Sequence, residues 1–146
     1  PDPDVRGDAA MALGEMGDRG ALDRLWTALD RDLGVSLNPE GTPLIRGCAH
    51  SIARLGGEEE IDRLLTYLRR APLRSLTEAF DIVMHRADLN DTLKTRVVGA
   101  VGSLATGEAR DFLMRLVNEA PRQRAPSWVE LARMTAARIQ PAGGKP

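Results

Sequence analysis

Shifted by 39 residues, the chain falls on itself. Val5, Ala9, Ala10, Leu13, Met16 and Gly17 land on Leu44, Cys48, Ala49, Ile52, Leu55 and Gly56, and Leu22, Leu25, Trp26 and Leu29 land on Ile61, Leu64, Leu65 and Leu68. Within each copy apolar residues recur every three or four positions, the spacing of one helix face, and a glycine divides the copy into two helices. A helix pair this short cannot bury its apolar stripe alone, so tandem copies predict units that lean on their neighbours.

The punctuation agrees with this reading. Asp2-Pro3 and Thr42-Pro43 each place a capping residue before a proline at the first helical position, and Asp18 caps the helix after Gly17. A shift of 88 brings in a weaker third copy, with Val97, Val98, Val101, Leu104, Ala109, Leu113, Met114 and Val117 on the corresponding positions. Between the second and third copies, Ser75-x-x-Glu78 offers a capping box for a helix carrying Leu76, Ala79, Phe80, Val83 and Met84; Ser127-x-x-Glu130 does the same for a last helix ending near Ile139. Residues 32–41, which include Val35 and Leu37, lack a helical period and are expected to form a long loop, read either as a contact element or as a disordered segment. The prediction is an all-α fold of about eight helices in a single domain over 1–140. Its repeats span about 2–31, 42–70 and 91–119, with an inserted helix at 75–86, a terminal helix at 127–139 and a disordered tail at 141–146.

Composition narrows the function classes. Only 3% of residues are aromatic, and β-branched runs are missing, which favours helix over sheet. The net charge of −1 predicts neither nucleic-acid nor membrane attraction for the molecule as a whole. The charges are nonetheless unevenly placed: residues 1–32 carry eight acids against four arginines, and residues 107–146 carry four acids against seven bases. A single cysteine, Cys48, and the lack of a secretory signal or long apolar run point to a reducing cytoplasm. The chain opens at Pro1 inside a helix-start motif, as a piece of a longer protein would.

At "DVRGDAAMALGEMGDRGALDRLWTALD" and "IRGCAHSIARLGGEEEIDRLLTYL" the sequence resembles the HEAT repeat, in the short form found in the lyases that attach bilins to phycobiliproteins and in many bacterial proteins. The resemblance implies an α-α superhelix whose second helices line a concave face. It says little of chemistry, because such folds host many unrelated tasks. HEAT-like hydroxylases that hold two irons depend on paired His-Glu dipeptides; here the sequence reads His50-Ser51 and His85-Arg86, so neither a metal nor a cofactor is expected. His50 follows the core pair Cys48-Ala49 and is read as a partly exposed helix residue, and Cys48 as a small core residue. The glycines at 56–57 and 143–144 lack the strand and helix context of a phosphate loop.

One surface stands out when the second helices are plotted at roughly 100° per residue. Opposite the apolar stripe lie Arg24, Thr27 and Arg31, then Arg63, Thr66 and Arg70, then Phe112, Arg115 and Glu119, with Tyr67 at the edge. Guanidinium binds carboxylate or phosphate through two parallel bonds and stacks on rings, so Arg24, Arg31, Arg63, Tyr67, Arg70 and Arg115 are the candidate partner-binding residues. Asp23, Asp62 and Asp111 occupy one angular position beside this ridge and offer a second reading, a structural Asp-Arg ladder. The function expected is a non-catalytic interaction or scaffold module of a larger bacterial HEAT-repeat protein, holding a protein partner with an acidic surface. The alternatives implied by the resemblance are a nucleic-acid-binding domain like the HEAT-like DNA glycosylases and a bilin lyase subunit.

Overall fold

A computed structural model of the chain describes residues 3–35 and 42–139. Among these residues are eight α-helices and no strand: α1 (Pro3–Glu15), α2 (Leu22–Val35), α3 (Thr42–Leu55), α4 (Glu58–Leu65), α5 (Thr77–His85), α6 (Asp91–Gly102), α7 (Gly107–Glu119) and α8 (Ser127–Arg138). The fold is all-α. The chain divides into two compact units, Pro1–Arg86 with α1 to α5 and Ala87–Pro146 with α6 to α8.

Helix ends follow the punctuation of the sequence where a small or polar side chain can do the work locally. Gly17 takes φ 73°, and the amides of Gly17 and Asp18 turn back to the carbonyls of Gly14 and Leu13 at 3.1 and 3.4 Å, closing α1 in a Schellman turn. The Asp18 carboxylate accepts from the Gly20 amide at 3.0 Å. Asn90 and Thr106 cap α6 and α7 by accepting from the amides of Leu93 and Ala109. At α4 the Glu60 carboxylate accepts from the Gly57 amide at 2.8 Å.

Other boundaries differ from the expectation. Helix α2 continues to Val35, four residues into the stretch read as a loop, since one glycine at 34 weakens a helix by about 1 kcal/mol without ending it. Residues 36–41, Asp2 and the tail at 141–146 lie outside the described residues. Neither Ser-x-x-Glu motif forms a capping box. Ser75 sits in a 3₁₀ turn (Leu73–Ser75) where its hydroxyl donates to the Pro72 carbonyl at 2.6 Å, and Glu78 reaches α3 instead. Ser127 is itself the first residue of α8, and Glu130 pairs with Arg133.

The first unit is organised around α3, which α1, α2, α4 and α5 all touch. From Leu44 to Gly56 only Arg46 and Arg54 of this helix are exposed. Against α1 the approach is so close that side chains are excluded. A Cβ at Gly47 would lie 2.9 Å from the Gly7 carbonyl carbon, one at Gly7 would lie 2.8 Å from that of Pro43, and one at Gly14 would lie 2.7 Å from the Ser51 Cα. Buried Ser51 stitches the two helices: its hydroxyl accepts from the Gly14 amide at 3.0 Å and donates to the Ala10 carbonyl, the two groups of one rung of α1's own ladder. Gly7 meets Gly47 and Gly14 meets Ser51, so α1 and α3 run parallel, with contacting residues separated by about one repeat length.

This packing also revises the face that α1 buries. Its buried residues are Gly7, Ala10 and Gly14, whereas Ala9 is exposed and Val5 and Met16, expected in the buried stripe, are 61% and 76% exposed. A helix that comes this near must turn its smallest residues inward, and the larger apolar ones then face water.

Helix α5, expected as an insertion, lies on α3 in the same sense as α3 lies on α1. Arg46 meets Glu78 near the starts of the two helices, with Nε and Oε2 2.8 Å apart. Just past their ends Arg86 donates to the carbonyls of Ala53 and Gly56 at 2.8 and 2.6 Å, satisfying acceptors that the last turn of α3 leaves open. His50, expected to be partly exposed, is buried between these elements at 7% exposure, its Nδ1 3.3 Å from Glu78 Oε1. Burial lowers its pKa below the ordinary histidine value; Glu78 from α5 and Glu15 from α1 oppose that shift, and Arg54 and Arg46 from α3 add to it. In the second unit α8 packs on both α6 and α7, around Val97, Val98, Val101, Phe112, Leu113 and Ala132.

Two stability predictions follow from this packing. Replacing a helical glycine by alanine ordinarily stabilises by about 0.5–1 kcal/mol, but overpacking costs about 1–3 kcal/mol where backbone cannot yield. Gly47→Ala is therefore expected to lower the urea midpoint, while Gly99→Ala, whose Cβ would meet nothing within 4 Å, is expected to raise it. For His50 the folded pKa is depressed, so the unfolded chain binds the proton more readily. Stability should be fully present above the ordinary histidine pKa of 6.5 and fall as pH drops through it toward the folded value. Denaturation curves on either side of that pH should show this loss in the parent chain and a smaller one in His50→Gln.

Candidate functional site

The arginine ridge of the first unit is carried by α2, α4 and the 3₁₀ turn (Thr66–Arg69) that prolongs α4. Leu25, Leu29, Ile61 and Leu64 are buried, which turns Arg24, Thr27 and Arg31 of α2, and Arg63, Thr66 and Arg70 after Glu58, to solvent. The two helices are joined by a network that starts with rings. Trp26 and Tyr67 stack with centroids 5.6 Å apart and planes at 24°. The Arg63 guanidinium lies 4.1 Å from the Trp26 ring centroid and that of Arg70 lies 5.1 Å from the Tyr67 ring.

Asp30 closes the network. One carboxylate oxygen is 3.1 Å from Arg63 Nη2, and the other accepts from the Tyr67 hydroxyl. Tyr67, expected at the edge of the ridge, is in fact buried at 3% exposure, and its polar atom is engaged within the fold. Burial first, and then the hydrogen bond and charge of Asp30, push its phenol pKa above the ordinary 10.0, against the opposing pull of Arg63.

The six candidates thus separate into distinct groups. Arg24 and Arg31 line one shallow groove along α2 with Asp23, Thr27 and Ala28. Arg63 lines a cleft of about 360 Å³ with Arg19, Trp26, Glu59 and Glu60, so its charge faces acids as well as Asp30. Arg70 is exposed over the Tyr67 ring, whereas Tyr67 itself supports the surface from beneath. Arg115 belongs to the second unit, where its guanidinium lies 5.4 Å from the ring of Phe112, one turn earlier on α7.

Arg63 meets Asp30, two turns beyond the Asp23 of the expected ladder, and Asp111 lies 3.9 Å from its neighbour Arg110. Sequence reasoning missed Asp30 because it treated each helix as its own wheel. The signal was present in the repeat: Trp26 and Tyr67 are 41 residues apart, and Asp30 and Tyr67 are 37 apart, both close to the 39-residue shift. Cys48, read as a core residue, is fully buried. Among the described residues no helix is long and apolar enough to cross a membrane.

Residues 5–31, which comprise nearly all of α1 and the first ten residues of α2, match the family model of the PBS lyase HEAT-like repeat. Over that stretch the chain is similar to the HEAT-like repeat. No curated protein and no solved structure matches the chain. The 39-residue recurrence in the sequence accounts for the way α1 lies on α3 and α2 is tied to α4 at separations near one repeat, since each copy offers its neighbour the same two faces.

The network has a clean spectroscopic reporter, because Tyr67 is the one tyrosine of the chain. Asp30→Asn removes the charge beside the phenol and weakens its hydrogen bond but leaves the ring buried. The alkaline absorbance titration of Tyr67 should move down toward the ordinary value without reaching it. A midpoint that does not move would show that Asp30 has no hold on the ring.

Proposed function

We propose that this protein is a non-catalytic interaction module, a scaffold of the bacterial cytoplasm that holds an acidic segment of a protein partner on the arginine face of α2 and α4. The observation that carries this reading is the exposure of Arg24, Arg31 and Arg70 beside Thr27 and Thr66, on a surface held in place by the Trp26–Tyr67 stack. Arg63 is partly neutralised by Asp30, and its contribution is to fix that surface. Exposed arginines that keep their hydration until a carboxylate arrives favour fast, salt-sensitive and exchangeable binding over a permanent complex. HEAT-like repeats commonly serve such interactions, which supports the same reading.

The test uses a fluorescent Glu-rich peptide and the triple variant Arg24→Glu, Arg31→Glu, Arg70→Glu, followed by anisotropy at low ionic strength. Three exposed ion pairs of about 0.5–1 kcal/mol each should together weaken binding roughly tenfold or more. The same titration with duplex DNA separates the alternative, since DNA bound more tightly than the peptide would favour the nucleic-acid reading. If parent and variant bind the peptide equally, or neither binds it, the proposed surface is wrong.

A further inference from the structure

The spacing Arg-x-x-Thr-x-x-x-Arg occurs twice in the first unit, 39 residues apart: Arg24, Thr27 and Arg31 on α2, then Arg63, Thr66 and Arg70. The two copies sit on different backbones. Helix α4 ends at Leu65 and runs on as a 3₁₀ turn, so Arg63 and Arg70 do not share one α-helical spacing, and Arg63 is held against Trp26 and Asp30. Helix α2 is unbroken from Leu22 to Val35, and all three of its motif residues are exposed.

On α2 the motif builds a groove with a positive charge at each end. Arg24 and Arg31 are seven residues apart, which sets their backbones about 10.5 Å apart along the axis and at nearly the same angle. Between them lie half-buried Ala28 and Thr27, whose hydroxyl donates to the Asp23 carbonyl at 2.9 Å and so is satisfied within the helix. The middle of the groove is therefore small and weakly polar. Among the described residues that line it Asp23 alone is acidic, since the next carboxylate along α2, Asp30, is taken by Arg63 and Tyr67. Two guanidinium groups against one acid leave the groove positive.

A partner that meets both arginines at once needs two acids at a matching distance. Along an extended strand the side chains of one face recur about every 6.6 Å, so pairs fall about 6.6 or 13 Å apart and miss it. A helix repeats its face every seven residues, about 10.5 Å, and the residue midway between two such acids faces Thr27 and Ala28. Given that the arginine face holds an acidic protein segment, as proposed above, we infer that the α2 groove receives a helical segment of the partner whose two carboxylates stand seven residues apart, with a small side chain between them.

Two lactam-bridged helical peptides of identical composition test this by fluorescence anisotropy at low ionic strength. One has its two glutamates seven residues apart; the other has them five apart, on opposing faces. The parent chain should bind the first about fivefold more tightly, the difference that one exposed ion pair makes. In the double variant Arg24→Glu, Arg31→Glu that preference should vanish, and it should reappear for peptides with lysines in place of the glutamates. Both positions are exposed, so circular dichroism should show parental helix content. Equal binding of the two peptides by the parent overturns the inference and leaves the acidic-segment reading standing. A glutamate preference that survives in the double variant also overturns it, because the selective surface would then lie elsewhere. If neither these peptides nor the Glu-rich one binds, both readings fall together.

Discussion

Everything in the first unit depends on two helices approaching until their backbones touch. Gly7, Gly14 and Gly47 let α1 and α3 come to a distance at which a methyl group would collide with main chain, and Ser51 of α3 fills what space is left with a hydroxyl that bonds twice to the backbone of α1. Dispersion between flat surfaces replaces the interdigitation of large side chains, and it works because nothing protrudes. The consequence runs both ways through the fold. Helix α3 is enclosed on nearly all sides, and α1 is left with its bulkier apolar residues facing water.

The second helices use a different device. Where α1 and α3 meet through small residues, α2 and α4 meet through large ones: an indole and a phenol stacked, with guanidinium groups over both and the Asp30 carboxylate of α2 accepting from Arg63 and Tyr67. Part of the positive charge on this face is therefore spent within the molecule. Arg63 acts as a strut, whereas Arg24 and Arg31 line their own groove along α2. The same residue type at corresponding positions of two repeats has come to do different work.

Much of this was legible in the sequence, because helix periodicity and capping are local. The glycine at 17, the cap at Asp18 and the HEAT-like resemblance over the first pair could be read without knowing what lies beside them. What could not be read depended on neighbours distant in sequence. The inward face of α1 was misjudged because hydrophobicity ranks valine and methionine above glycine, while closeness of approach ranks them the other way. Ser75-x-x-Glu78 was misjudged because a carboxylate with an arginine in reach on α3 prefers that partner to its own helix end. Arg86 drew no notice as a side chain that caps another helix, since nothing in its local pattern points to the open carbonyls of α3. Tyr67 looked like a contact residue because tyrosine is common at interfaces, but Asp30, 37 residues earlier, draws it inward.

The Ser51 stitch bears on how such a chain leaves the ribosome. A rung of α1 is completed by a hydroxyl that lies 37 residues downstream of the amide it accepts from. Synthesis runs from the amino terminus, so α1 emerges with a narrow glycine-lined flank before α3 exists to lie on it. Its consolidation waits for the second repeat to be translated, and the nascent chain gains its order one repeat behind the point of synthesis.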